Sequence, residues 1–136
     1  MLVDTGVLFA AISGRDKWHG TSVDLLLKAT EPLITTTAVM TELFHFCQGD
    51  SFRKRMAWAL FSGGKVVIAD ITQADLPHLD ALMLRYDDRP MDFADATLVH
   101  VAGRENISSI LTIDHDDFET YRFGRNRKFR ILPPRH

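Results

Sequence analysis

The chain has a single cysteine, Cys47, in 136 residues, so no internal disulfide can form and no disulfide framework supports the fold. That fits a reducing compartment. No apolar run approaches the length of a membrane span. The first residues are strand-like and are interrupted at once by Asp4, without the basic and continuous apolar regions of a secretory signal. The expectation is a cytoplasmic protein that does not enter a membrane. There is no large excess of charge of either sign: the net charge is −2, so the molecule as a whole is no magnet for polyanions. His19, His45, His78, His100, His115 and His136 show no His-x-x-x-His spacing and there is no Cys-x-x-Cys, which argues against zinc. A Gly-x-Ser-x-Gly elbow, a P-loop and a Gly-x-Gly-x-x-Gly turn are all missing. Repeats, low-complexity tracts and linkers are missing too.

What is present is a globular composition, 46% hydrophobic and 25% charged, in a length that makes one domain, residues 1–136, with its own core. Short strand-like runs alternate with longer helical patterns. Strands are expected at Met1–Val3, Leu33–Thr36, Lys65–Ala69, Ser109–Ile113 and Phe129–Leu132. Helices are expected at Thr5–Ser13, His19–Ala29, Ala38–Cys47 capped by Thr37, Phe52–Phe61 capped by Ser51 and ended by Gly63-Gly64, Thr72–Tyr86 with Pro77 in its first turns, and Asp92–Arg104. Asp87-Asp88-Arg89-Pro90 reads as a loop, and Asp114–Lys128 as a long one of the kind that is often functional. The alternation predicts an α/β fold, a three-layer α/β/α sandwich around a mainly parallel sheet.

Four acidic islands stand in apolar surroundings: Asp4 in Leu-Val-Asp-Thr-Gly, Glu42 in Val-Met-Thr-Glu-Leu-Phe, the pair Asp92/Asp95, and the cluster Asp114/Asp116/Asp117. Carboxylates in such places are costly unless paired or bound to a metal. On this element plan Asp4 and Asp114 follow strands, Glu42 lies in the first turns of a helix after a strand, and Asp95 lies in a helix first turn. In open α/β sheets ligands bind beyond the carboxyl ends of the strands, so all four could face one crevice. Plainer roles stand beside this one. Asp92 is placed to cap its helix. Glu42 fits an ordinary surface position equally well, and Asp116 fits a solvated loop. Cys47, His45, Trp18 and Trp58 read as packing or helix-face residues. Phe44, Phe46, Trp58 and Phe61 fit core packing and a partner surface equally well. Two basic runs, Arg53-Lys54-Arg55 and the stretch from Arg122 onward, which has six basic residues and no acidic one, could meet phosphate or simply be solvated.

The order and spacing of Leu2-Val3-Asp4-Thr5-Gly6, Thr41-Glu42-Leu43, Pro90 to Val99 and Leu111 to Phe118 resemble a PIN domain, and within that family the VapC-type toxins of bacterial and archaeal toxin–antitoxin pairs. The resemblance spans nearly the whole chain. It implies metal-site acids at Asp4, Glu42, Asp95 and Asp114, accessory acids at Asp92 and Asp117, and a small polar residue lining the site at Thr112. His115 departs from the Arg or Lys common at its position. The resemblance further implies a ribonuclease dependent on one or two Mg²⁺ or Mn²⁺ ions, an RNA substrate, a homodimer and a cognate antitoxin. Arg122, Arg125, Arg127 and Lys128 are then candidates to hold the RNA backbone. Two other readings stay open: a catalytically silent RNA- or protein-binding module of the same fold, and a phosphatase-like hydrolase with Asp4 as nucleophile. The latter lacks the aspartate two residues on, where Gly6 stands.

Overall fold

The fold is given by a computed structural model that describes residues 1–89 and 91–135. Pro90, assigned above to a loop, and His136 lie outside the described residues. Five short strands, β1 (Leu2–Val3), β2 (Leu33–Thr35), β3 (Val66–Ile68), β4 (Ser109–Leu111) and β7 (Arg130–Leu132), form one sheet in the order β3-β2-β1-β4-β7. Every pairing in it is parallel, with Leu2 opposite both Ile34 and Ile110. Parallel neighbours need crossovers, and helices supply them. They are α1 (Thr5–Ile12), α2 (His19–Lys28), α3 (Thr37–Phe46), α4 (Ser51–Ser62), α5 (Leu76–Arg85) and α6 (Phe93–Glu105), with a short 3-10 turn at Gln73–Asp75 before α5. The result is the expected α/β/α architecture. The central strands are mostly apolar because both sheet faces are covered: Leu2, Val3 and Ile110 have no exposed surface.

Chain order places β2 and β3 on one side of β1, then returns to place β4 and β7 on the other. The β1/β4 boundary is therefore a topological switch point, where the crossovers diverge and leave a crevice beyond the strand ends. α6 is buried along one side: Ala94, Ala96, Thr97, Leu98, Val99, Val101 and Ala102 are all buried. A buried hydroxyl chain ties it to α3. Thr97 donates to the Ala94 carbonyl at 2.6 Å, leaving the Thr36 hydroxyl to donate to Thr97 Oγ1 at 2.8 Å while accepting from the Val39 amide. With every member partnered, this chain fixes the start of α3 against the first turn of α6.

Several boundaries differ from those expected. Thr36, not Thr37, caps α3, and Asp50, not Ser51, caps α4, its Oδ1 accepting from the Arg53 amide at 3.0 Å. In both places two adjacent residues are capable caps, and the one in extended backbone does the capping. Pro77 sits in the first turn of α5, where its missing N–H costs nothing. The expected long loop after Asp114 is largely ordered. It contains α7 (His115–Thr120) and a hairpin of β5 (Arg122–Phe123) and β6 (Arg127–Lys128), which turns through positive φ at Gly124 and Asn126. Phe118, Tyr121 and Phe129 pack edge to face beneath it. Such short elements carry too little periodicity to be read in advance. Trp58 is not the packing residue expected: one face rests on Phe44, yet 55% of it is exposed. Cys47 is a buried core residue, and burial pushes its thiol pKa up. If Asp50 caps α4, Asp50→Ala lowers stability by about 1 kcal/mol and Ser51→Ala by much less, as urea denaturation would measure.

Candidate functional site

The crevice at the β1/β4 switch point is built by donors that each hold one acid. Asp4 follows β1; its Oδ1 accepts from the Thr5 amide at 2.8 Å and its Oδ2 from the Thr112 hydroxyl at 3.0 Å. The Thr5 hydroxyl reaches the other way, to Glu42 Oε1 at 2.7 Å, so one residue joins the acid after β1 to the acid on α3. Thr112, just past β4, also accepts from the Asp114 amide at 3.0 Å, which joins Asp4 to the last cluster. Asp95, in the first turn of α6, accepts from the Tyr121 hydroxyl at 3.1 Å. Asp92 caps α6, accepting from the Asp95 amide at 2.8 Å, and Asp114 caps α7, accepting from the Asp117 amide at 3.2 Å. Asp117 is paired with Arg89 at 2.6 Å.

The electrostatics agree that these acids share one space. Burial pushes the Asp95 carboxyl up to about 8, and the charges of Asp4 and Asp92 add to it against the Tyr121 hydroxyl. Burial raises Asp4 to about 6; Glu42 and Asp114 add to the rise, while the Thr5 and Thr112 donors oppose it. Partial burial and the Asp117 carboxylate raise Asp114 to about 6. Burial raises Glu42 as well, with Asp92 contributing and Thr5 opposing. Burial and the charge of Asp95 push the Tyr121 phenol up, keeping it a donor. Among the described residues, no group of three or more Asp, Glu, His or Cys side chains is gathered tightly enough to hold a metal ion as the side chains stand. Each of the four acids is drawn toward its own donor.

The PIN-domain family model matches residues 1–124. The chain belongs to the PIN-domain family. It is 24% identical over 136 residues to Ribonuclease VapC26 of Mycobacterium tuberculosis, a match covering 98% of this chain and 100% of that protein. Its fold is similar to the crystal structure of Mycobacterium tuberculosis VapC20, described as a sarcin-ricin loop cleaving toxin, with TM-score 0.75 and 22% identity over 85% of this chain and 90% of that one. It is also similar to a chain of Rickettsia felis VapBC2 bound to a DNA fragment from their promoter, with TM-score 0.63 and 14% identity over 96% of both chains. These structural likenesses concern the fold.

Within this PIN domain, Thr5 and Thr112 join Asp4, Glu42 and Asp114 through hydrogen bonds, while Asp95 bonds Tyr121 and is joined to them by charge, with Asp4 raising its pKa. Asp92 is both a cap and a neighbour of the site. Asp116 is an exposed residue of α7 paired with Arg135 at 2.6 Å. The basic candidates separate. Arg122 turns its Nη1 to the carbonyls of Glu119, Thr120 and Tyr121, close to the site. Arg127 bonds Asn106 beyond the C-terminus of α6 and lies over the Phe123 ring, while Arg125 and Lys128 are exposed on the same hairpin. His45 is exposed on α3. Sequence reasoning missed Thr5, Tyr121 and Arg89. Thr5 carried a signal, its place beside Asp4; Tyr121 and Arg89 carried none. A second aspartate at position 6 is disfavoured, because a Cβ there would meet Ile113 at 3.0 Å.

The raised carboxyls set a pH dependence. An Asp in the unfolded chain titrates near about 4. Between that value and the folded value of about 8 for Asp95, the folded metal-free chain binds more protons than the unfolded one. Stability from this group is therefore lost as pH rises through that window. Asp95→Asn keeps an acceptor for Tyr121 and removes the charge. In EDTA, the variant melts above wild type at the alkaline end of this window, and the difference closes toward its acidic end, as thermal unfolding followed by circular dichroism would show.

Proposed function

We propose that this PIN domain is a metal-dependent endoribonuclease, the toxin of a VapBC-type pair. The observation that carries this reading is the meeting of four acids from four separate elements at the switch point of a parallel sheet, three of them joined through Thr5 and Thr112 and the fourth, Asp95, raised by the charge of Asp4. The donors are all oxygen, the set a hard dication such as Mg²⁺ or Mn²⁺ takes. Carboxyls that hold protons because they are buried beside one another can exchange those protons for a cation. Asp4, Asp95, Asp114 and Glu42 would hold one or two ions. A bound ion would polarise the scissile phosphate and lower the pKa of its water.

The chain's own residues supply the rest. Glu42, steadied by Thr5, is the group to accept a proton from the attacking water. Thr112 orients Asp4 and Tyr121 orients Asp95, as supporting donors do around a metal centre. Arg89, held on Asp117 at the edge of the site, offers a guanidinium to the phosphate where His115 replaces the usual base. Asp92 and Asp117 support the site from their caps and pairs. The basic hairpin with Arg125, Arg127 and Lys128 would follow the RNA backbone, making binding salt-sensitive. Phe46, Phe52 and Trp58, each more than half exposed on α3 and α4, supply apolar surface for an antitoxin or for the second copy of a homodimer. This reading places the protein in the cytoplasm. Among the described residues, no helix is long and apolar enough to cross a membrane.

The silent module stays as the second reading because the carboxylates do not close on a common ligand point as they stand. Metal separates the two. If the nuclease reading holds, Asp4→Asn and Asp95→Asn each lower Mn²⁺-dependent RNA cleavage at least about 100-fold with the fold retained, since even supporting groups around a metal are worth about 10–100-fold. EDTA abolishes cleavage, and Mn²⁺ raises the melting temperature of the wild type, because a ligand bound only by the folded state stabilises it. No cleavage and no thermal shift at millimolar Mn²⁺ would instead favour the module.

A further inference from the structure

A trough between α5 and α6 begins beside the acidic crevice and belongs to none of the features above. It is a cavity of about 420 Å³, within the range of small-ligand sites. Asp95, Val99 and Gly103 lie four apart on α6 and so share one face; Val99 and Gly103 line the cavity. At 1.5 Å rise per residue they stand about 6 Å and about 12 Å along the helix from Asp95. The segment after α7 follows the same face, with the Tyr121 hydroxyl on Asp95 and the Gly124 backbone close enough to Gly103 that a Cβ there would meet it at 3.0 Å. α5 runs opposite to α6. Its end meets the crevice through Tyr86, which packs edge to face on Tyr121 and accepts from the Arg122 amide at 2.9 Å. Its start meets the far end of α6, where Asp75 pairs with Arg104 at 3.1 Å.

The trough thus has a polarity of its own. Arg85 and Arg122 flank the end near the acids, and Arg122 is pre-set by three carbonyls in the last turn of α7. Leu82, Val99 and Phe123 give an apolar floor, the last two with almost no exposure. At the far end the rings of His78 and His100 stack, centroids 5.3 Å apart, and Asp75 holds His100 at 2.8 Å. Among the described residues Asp75 is the one carboxylate in the lining, and hydrogen bonds from the Thr72 amide and His100 keep its pKa below the usual carboxylate range. One negative charge, already committed, faces three arginines. Helix ends account for Arg85 and Arg104, which stand in last turns. They do not account for Arg122 joining them over an apolar floor.

We infer that this trough is a subsite for one nucleotide of the RNA strand, its phosphate on Arg85 and Arg122 and its base on the Leu82, Val99 and Phe123 floor. The inference rests on the nuclease reading for the identity of the strand. It separates the chain's contacts with RNA into a cleaving crevice and a neighbouring recognition pocket, and it moves recognition from the hairpin edge to the α5/α6 face. An apolar floor with a cationic entrance suits a base with its phosphate better than a bare anion.

The test uses the full chain in EDTA, where cleavage cannot confuse binding. A labelled unstructured RNA of mixed sequence is titrated by fluorescence anisotropy into wild type, Arg85→Glu, Ala81→Trp and Lys28→Glu. Ala81 lines the trough and is exposed, so Trp fills the cavity without entering the core. Lys28 pairs with Asp24 on α2 and serves as a charge-matched control. Arg85→Glu and Ala81→Trp are expected to weaken binding about tenfold, the worth of one stacked base. Lys28→Glu stays within about twofold, as surface changes do. Nucleoside monophosphate should displace the RNA better than inorganic phosphate and shift the ring signals of His78 and His100 in wild type but not in Ala81→Trp. Affinities of both trough variants within about twofold of wild type would overturn the proposal. So would displacement by inorganic phosphate as effective as by nucleotide, which leaves an anion site only, or by polyglutamate, which points to an acidic protein partner. A parallel incubation with Mn²⁺ separates the two readings. RNA held through the trough but never cut removes the nuclease and keeps the subsite; RNA cut by wild type with affinity unchanged in both variants removes the subsite alone.

Discussion

Carboxylates that repel one another are held together at the mouth of a parallel sheet, and much of the surrounding structure exists to hold them. Left to themselves, Asp4, Glu42, Asp95 and Asp114 would turn into water, where each charge is stabilised independently. The fold restrains them by giving each acid a donor: an amide and a hydroxyl for Asp4, the Thr5 hydroxyl for Glu42, the Tyr121 phenol for Asp95 and an α7 amide for the more exposed Asp114. Two of these donors, Thr5 and Thr112, serve two elements each. The acids on β1, α3 and β4 therefore cannot move independently. The remaining strain appears as protonation, most of all at Asp95, the acid nearest the buried helix.

The topology makes this possible. Strand order β3-β2-β1-β4-β7 diverges at β1/β4, so the ends of two adjacent strands open into a crevice rather than into a covering crossover. Two further acids reach that crevice from helices, and their position depends on how α3 and α6 sit on each other. The buried Thr36–Thr97 contact fixes that relation. It is apolar packing that drives α6 into place, with seven of its thirteen residues buried, but packing alone tolerates sliding. A hydroxyl chain with every member satisfied does not, because a shift would leave a buried group unpaired. Stability and site geometry thus pull in opposite directions at Asp95 and in the same direction at Thr97, as is common where binding sites sit on well-packed elements.

The acids were legible in the sequence because each interrupts an apolar run, where charge is conspicuous, and the parallel sheet was legible because its strands are short, apolar and separated by helical periods. Their supporting donors were not. Tyr121 reads as one more aromatic near a loop, and only folding places its hydroxyl on an acid 26 residues away in sequence. Arg89 lay in a stretch read as loop, and its partner Asp117 lies 28 residues on. Local ambiguity hid other features. Thr35, Thr36 and Thr37 are all competent caps, and no single-sequence rule chooses among them. The segment from Asp114 to Lys128 hides a helix of six residues and a hairpin whose strands have two each, lengths at which neither period can repeat. The basic stretch was visible as composition but not as geometry, since a run of arginines says nothing of which ones bond their own backbone.

Arg122 makes that last point physically. In sequence it is the first of a basic run and is equivalent to Arg125 or Arg127. In the fold it follows directly on the residue that touches Asp95, and its amide is fixed by Tyr86. Arg127, five residues later, lies beyond the far end of α6, bonded to Asn106. A helix of thirteen residues spans about 20 Å, so the hairpin spreads the run along the whole of α6 rather than concentrating it at the acids. A polyanion laid along that face would meet positive charge throughout and dense negative charge only at the crevice, the place where a bound cation would reverse the sign. The acids would repel such a strand from the crevice of a metal-free protein while leaving the rest of the face open to it, so the charge that makes the crevice costly to fold would also make a bound dication a condition for drawing the strand onto the acids themselves.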